Sequence, residues 1–153
     1  EQGDVEGAIR KGFIDFDKEM ASNEEMREDL AGTTAICVLI KDDKLYCGNV
    51  GDSRAIASIN GNVELLSIDH KPNNDDERKR ITAAGGWVEF NRVNGKRRSS
   101  FLMFYFCFFF RFVGNLALSR ALGDFIFKRN ADKKPEEQVV CGNRIVISCS
   151  SIE

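Results

Sequence analysis

Asp52, in the string Gly51-Asp52-Ser53-Arg54, is the residue of this chain best suited to hold a hard metal ion. A carboxylate presented by a tight turn at a strand end offers the oxygen donors that Mg and Mn prefer over nitrogen or sulfur. The same placement also suits a structural part, in which Asp52 accepts hydrogen bonds from nearby backbone N–H groups or pairs with Arg54. His70, the single histidine, sits in Asp69-His70-Lys71-Pro72 and has the side chain for general acid catalysis. A turn or capping role for Asp69 and His70 is the other reading, and Pro72 stiffens the chain directly after them. Arg120 and Asp124 could clamp a phosphate and a metal, but a spacing of four suits an i,i+4 ion pair or mutual backbone capping around Gly123. Lys96-Arg97-Arg98 beside an aromatic run has the look of a basic, stacking nucleic-acid patch. That run is too apolar to stay exposed.

The elements that must position these residues follow from periodicity and turn chemistry. Val5, Ile9, Phe13, Phe16 and Met20 recur at helical spacing with charges between them, which predicts an amphipathic helix ending before Ser22-Asn23, and a short second helix over 24–30. Residues 35–40 form a continuous apolar run, expected of a strand covered on both faces. Lys41-Asp42-Asp43-Lys44 turns the chain and 45–50 returns it as a hairpin. A strand over 55–59 meets Asn60-Gly61, a dipeptide suited to a type I′ turn, and 62–68 is its partner. Asn74 followed by Glu77 predicts a capping box, with Asp75 and Asp76 at the positive end of the helix dipole. Gly85-Gly86 ends that helix.

Composition narrows the field. The 153 residues suffice for one domain with a core. Lys plus Arg total 22 against 24 Asp plus Glu, so the formal charge of -2 provides no general attraction to nucleic acid or an anionic membrane. The five cysteines include no C-x-x-C pair, and with one histidine a zinc site lacks ligands at the right spacing. Reduced thiols in an intracellular protein, cytoplasmic or nuclear, are expected.

Four strings in one order carry a resemblance. Gly51-Asp52-Ser53-Arg54, Asp69-His70-Lys71-Pro72, Ala83-Ala84-Gly85-Gly86 and Ser119-Arg120-Ala121-Leu122-Gly123-Asp124-Phe125, led by Gly32-Thr33-Thr34-Ala35, are similar to the middle of a PPM-type (metal-dependent, type 2C) protein serine/threonine phosphatase. The similarity covers residues 32–94 and again 114–140. It implies an α+β fold, a partial four-layer α-β-β-α sandwich of two antiparallel sheets flanked by helices. It also implies two or more Mg or Mn ions in the complete domain, with Asp52 matching a ligand of an additional, weaker metal beside the binuclear pair. The family's Asp-Gly-His-Gly-Gly, Asp-Gly-x-x-Asp and Asp-Asn ligand strings are absent from this sequence, so no catalytic residue is assigned to it. The start of the family's flap beside the active site matches residues 85–92, which gives Arg92 a possible substrate contact.

One segment departs from the family pattern. Residues 101–113 hold twelve apolar or aromatic side chains and seven of the chain's 12 phenylalanines, interrupted by Arg111. A membrane span needs about 20 apolar residues, so this run is too short. The family reads from Arg-Val-Asn-Gly straight into Asn-Leu-Ala, and removing residues 96–114 restores that continuity. A translated intron is the preferred origin: Gly95-Lys96 is compatible with a splice donor, phenylalanine codons are pyrimidine-rich, and Val113-Gly114 is compatible with an acceptor. Cys141-Gly142-Asn143 also accommodates a donor, so residues 143–153 read as a continuation past it.

The chain, which begins at Glu1 without Met, thus reads as a single incomplete PPM-type phosphatase domain over 1–153 with a foreign Phe-rich insertion at 96–114. The expected reaction of the parent domain is metal-dependent hydrolysis of phosphoserine and phosphothreonine in phosphoprotein substrates, with no nucleic-acid or membrane partner. The fragment itself is expected to be inactive. The alternatives are a catalytically silent, phosphatase-like protein-binding module and a membrane-peripheral protein anchored by residues 101–113.

Overall fold

A computed structural model describes residues 3–95, 116–130, 132–142 and 149–151. Helix α1 (Val5–Ser22) starts at Asp4, whose carboxylate accepts from the Gly7 N–H at 2.8 Å. Asn23 ends α1 and begins α2 (Glu24–Glu28), its side-chain oxygen accepting from the Glu25 and Met26 N–H groups. Val5, Ile9, Phe13 and Met20 are half-buried, whereas Phe16 is exposed. The short strand β1 (Gly32–Thr33) leads into β2 (Ala35–Lys41) and β3 (Lys44–Val50). β2 and β3 pair antiparallel from Ala35↔Val50 to Lys41↔Lys44. Their two-residue turn places Asp42 and Asp43 at φ 51° and 57°, the type I′ geometry whose twist matches that of the strands.

β4 (Ile56–Ile59) and β5 (Asn62–Leu65) form the second hairpin around Asn60-Gly61, with φ 50° and 79°. Helix α3 (Asp75–Ala83) closes in the reciprocal pattern expected of a glycine stop. Gly86 N–H donates to Ile81 O and Gly85 N–H to Thr82 O, both at 3.0 Å, with Gly85 at φ +87°. β6 (Trp87–Glu89) and β7 (Arg92–Asn94) make a third hairpin. β8 (Leu122–Gly123) pairs with β1, and β9 (Cys149–Ser151), within the segment 143–153, pairs with β3. Short 3-10 turns occupy Phe125–Phe127 and Pro135–Glu137.

All named strand pairs are antiparallel, so the molecule is α+β as expected. Its core gathers Ile81 of α3, Ala84 directly after that helix, Val93 of β7, Ala121 next to β8, and Val139 and Val140. Ile81 is fully removed from water, and burying a side chain of that size contributes about 1.5–3 kcal/mol.

Three expectations are corrected. β2 is not covered on both faces: Val38, Leu39 and Ile40 are exposed, because among the described residues the strand is joined through β3 at one edge and no second sheet lies over it. The capping box at α3 does not form. Asn74 Nδ2 donates instead to Asp69 O at 2.8 Å, and Glu77 is drawn inward to two arginines. Arg120 does not pair with Asp124, since Arg120 belongs to that buried cluster on Glu77. The Phe-rich run and Lys96-Arg97-Arg98 lie outside the described residues.

Candidate functional site

Asp52 sits where β3 hands over to the β4–β5 hairpin. Gly51 adopts φ +104°, and a Cβ there would lie 2.4 Å from Thr34 Cγ2, so both backbone angle and space require glycine. Asn49, buried on β3, supports the turn by donating to Ile68 O at 3.0 Å and Gly51 O at 3.3 Å. Thr34 and Ser53 hydroxyls meet at 2.9 Å, tying the turn to the start of β2.

The hairpin register explains what faces Asp52. Continued outward from Ile56↔Leu65, it opposes Ala55 to Leu66, and Leu66 N–H donates to Ala55 O at 3.0 Å. Further out it opposes Gly51 to His70, and there His70 N–H donates to Gly51 O at 2.9 Å while Gly51 N–H donates to His70 Nδ1 at 3.1 Å. That register would set Asp52 directly against Asp69, two like charges. The ion pairs form on the diagonals instead. Arg54 makes a two-pronged contact with Asp69, Nε to Oδ1 at 3.0 Å and Nη2 to Oδ2 at 2.8 Å. Lys71 Nζ pairs with Asp52 Oδ2. The Arg54 hydrogen bonds hold the Asp69 carboxyl below its usual range, against the upward push of burial.

His70 is a brace and not a proton donor at the Gly51 turn, because its Nδ1 is the acceptor of the Gly51 N–H and carries no proton there. Its carbonyl accepts from both the N–H and the hydroxyl of Ser119 at 3.0 Å, so one buried residue links the Asp52 turn to the Ser119-Arg120 string.

That second string is fastened by Glu77. The Glu77 carboxylate accepts from Ser119 Oγ at 2.6 Å, Arg80 Nη2 at 2.9 Å and Arg120 Nε at 3.0 Å, with Arg120 Nη2 as a further donor. Burial pushes the Glu77 carboxyl up, but Arg120, Arg80 and Ser119 together outweigh it and bring it down to about 2. Two guanidinium groups on one buried carboxylate leave a surplus of donors. Carbonyls absorb it: Arg80 also donates to Ser119 O at 2.8 Å, Val139 O at 3.1 Å and Gln138 O. Asp124, at φ 49°, donates its N–H to Ala31 O at 3.0 Å, and its carboxylate lies where a side chain on Gly32 would be. Burial pushes the Asp124 carboxyl up.

Arg92 is exposed on β7, and the β6–β7 turn is tied to the α3 entry by the Asn73 N–H donating to Asn91 Oδ1 at 3.2 Å. Sequence reasoning brought forward Asp52, Asp69 and His70 and passed over Lys71 and Glu77. The signal for Lys71 was present in the hairpin register around Asn60-Gly61. For Glu77 the i,i+3 spacing to Arg80 was the one local signal, while Ser119 and Arg120 lie 42 and 43 residues away.

Among the described residues no three His, Cys, Asp or Glu side chains come together in a metal-binding group. Asp52 offers one carboxylate, already paired with an ammonium, whereas Mg demands close to six oxygen ligands. The described residues alone therefore do not fit a divalent metal centre. No helix among them is long and apolar enough to cross a membrane.

The family model for Protein phosphatase 2C matches residues 1–148. A probable protein phosphatase 2C of Caenorhabditis elegans is 52% identical over 140 residues, covering 91% of this chain and 34% of that protein. Protein phosphatase 2C homolog 2 of Schizosaccharomyces pombe is 42% identical over 140 residues, covering 91% of this chain and 33% of that one. The chain thus spans about a third of the length of these curated relatives. Among solved structures, a phosphatase from Toxoplasma gondii superposes with TM-score 0.59 at 23% identity, over 92% of this chain and 52% of that chain. A sex determining protein of C. elegans superposes with TM-score 0.66 at 23% identity, over 100% of this chain and 32% of that chain. These two likenesses establish the fold. With Gly51-Asp52, His70 and Ser119-Arg120 joined in one hydrogen-bonded unit and the family match running over 1–148, the chain belongs to the protein phosphatase 2C family.

Proposed function

We propose that the parent domain hydrolyses phosphoserine and phosphothreonine esters in proteins with Mg or Mn as cofactor, and that this chain supplies the scaffold around the reaction centre. The observation that carries this reading is the family match over residues 1–148, together with relatives named protein phosphatase 2C. The metal cofactor is a property of the resemblance, and its principal ligands come from the part of the domain that the relatives have and this chain does not span. What this chain contributes is rigidity. The Glu77 cluster fixes the Ser119-Arg120 string, and the Gly51–His70 bonds fix the Asp52 turn against it.

The test has two arms. The chain itself is assayed with p-nitrophenyl phosphate and a phosphothreonine peptide in Mn and in Mg, and no metal-dependent turnover is expected. A chimera in which residues 1–95 and 115–142 replace their counterparts in the C. elegans relative is expected to turn over both substrates with metal. A folded but inactive chimera favours the silent binding module instead. Turnover by the chain alone that disappears in Asp52→Ala would show that the reaction centre lies within it.

A further inference from the structure

Among the described residues β2 is the edge of its sheet: it pairs with β3 on one side, and no strand pairs with the other. Edge strands are usually guarded by charges, prolines or bulges. Residues 35–40 carry no charge and no proline, and Lys41 comes only at the strand's end. The hairpin fixes what this free edge presents. In a two-residue turn the flanking pair, Lys41 and Lys44, exchanges both backbone hydrogen bonds, and alternate pairs back along the strands do the same. Ile36, Val38 and Ile40 therefore direct their N–H and C=O groups away from β3. Their side chains share one face of the strand and are 36%, 50% and 64% exposed. An unpaired backbone edge and an apolar stripe thus coincide on the same residues.

We propose that β2 pairs antiparallel with β2 of a second copy of this chain, about a two-fold axis through Val38. Val38 then faces its own counterpart, Ile36 faces Ile40 of the second copy, and each outward residue donates and accepts one hydrogen bond across the axis. The strand is self-complementary in this register. Lys41 comes to lie opposite Ala35 of the second copy, so no like charges face each other. A slide of two residues would set Ile40 against Thr34, or Ile36 against Asp42 in the turn, and end the apolar match. The interface covers about 700 Å² over both copies, below the range of stable complexes, so the dimer is weak and reversible. Pairing consumes the same edge on each copy, and the assembly closes at two.

The proposal concerns the chain as it stands and does not rest on phosphatase activity, and its test reads association directly. Sedimentation velocity of the full chain across the micromolar range is expected to show a reversible shift from monomer to dimer. Val38→Lys and Val38→Glu each set like charges face to face at the axis and should weaken the dimer about tenfold or more. An equimolar mixture of the two variants should restore it as a heterodimer. Ile56→Lys, at a comparably exposed site on β4, should leave it unchanged. A wild type that stays monomeric, association that persists in Val38→Lys through residues 96–114 or any other surface, or a mixture that fails to associate overturns the proposal. Should a charged variant fail to fold, Val38→Cys decides, because directly paired positions lie within disulfide reach. Mild oxidation at micromolar concentration is expected to give a dimer linked through position 38 of both copies, identified by mass spectrometry, and absence of that link overturns the proposal.

Discussion

Glu77 and Arg120 form a buried ion pair across 43 residues of sequence, each side chain only 4% exposed. Taking two such groups out of water is costly, and the pair persists because Ser119 and Arg80 complete the hydrogen bonds of Glu77 while Arg120 Nη1 donates to Cys141 Sγ at 3.0 Å. Its value to the fold is therefore asymmetric. Removing one partner leaves the other charge buried, which costs more than the intact pair contributes.

Glu77→Gln should destabilise the chain by about 3–5 kcal/mol, the usual penalty for orphaning one partner of a buried pair. The pH dependence has a definite sign. The Glu77 carboxyl is held at about 2 in the folded chain against 4.5 ordinarily, so the unfolded chain binds the proton first on acidification. Its contribution is complete above about pH 4.5 and is lost as pH falls toward 2, amounting to about 3 kcal/mol. Urea midpoints measured from pH 6 to 3 should fall steeply for the wild type and less steeply for Glu77→Gln. Equal slopes would show that the cluster does not carry acid sensitivity.

The Asp17 carboxylate ties helix α1 to the rest of the chain. Asp17 accepts from Lys128 Nζ at 2.7 and 2.8 Å and from the Gly123 N–H at 2.9 Å, while none of the α1 residues is fully buried. Burial pushes the Lys128 ammonium down and Asp17 opposes it. Asp17→Ala should free α1 before it disturbs α3, with hydrogen exchange across Val5–Ser22 accelerating more than across Asp75–Ala83. Uniform acceleration of both helices would mean that α1 is integral to the core.

The parts legible in the sequence are those decided within a few residues. Lys41-Asp42-Asp43-Lys44, Asn60-Gly61 and Gly85-Gly86 each specify a backbone geometry locally, and each turn forms where expected. Glu77 shows the opposite case. Its position three residues after Asn74 satisfies a local capping pattern, but Arg80 one turn on and Arg120, which only the packed chain brings within reach, together offer a stronger, desolvated interaction. Arg120 and Asp124 fail as a pair for the same reason, since their spacing has meaning on a helix and the backbone there is β8 and a left-handed residue. At the candidate site, the Asp52 turn was legible directly, and its counter-charge only by carrying the hairpin register outward, which sets Lys71 on one diagonal and leaves Arg54 to Asp69 on the other.

Asp52→Asn in the completed domain separates ligand from strut. The substitution keeps the side chain's size and removes a charge whose partner is a half-exposed lysine, so stability should change by no more than about 1 kcal/mol. If Asp52 serves a metal, turnover should drop by about tenfold or more at subsaturating manganese and recover in part as manganese is raised. Intact turnover with a lowered melting midpoint would assign Asp52 to the turn alone.

Residues 96–114 should be dispensable to the fold. Val93 on β7 and Leu116 already meet as an antiparallel bridge, Val93 N–H donating to Leu116 O at 2.8 Å and Leu116 N–H to Val93 O at 3.3 Å. Joining Gly95 to Asn115 leaves Asn94, Gly95 and Asn115 between them, a hairpin loop of ordinary length with glycine in it. The deleted stretch contains the Phe-rich run, which lacks proline and has the composition of an aggregation-prone strand. The shortened chain is therefore expected to be more soluble and to keep the Val93 amide protected from exchange. Transcripts from the source should include a spliced form without the corresponding bases. A soluble, monodisperse full chain, with every mature transcript retaining the segment, would make the Phe-rich run a genuine part of the protein, and loss of Val93 protection on deletion would show that the bridge depends on it.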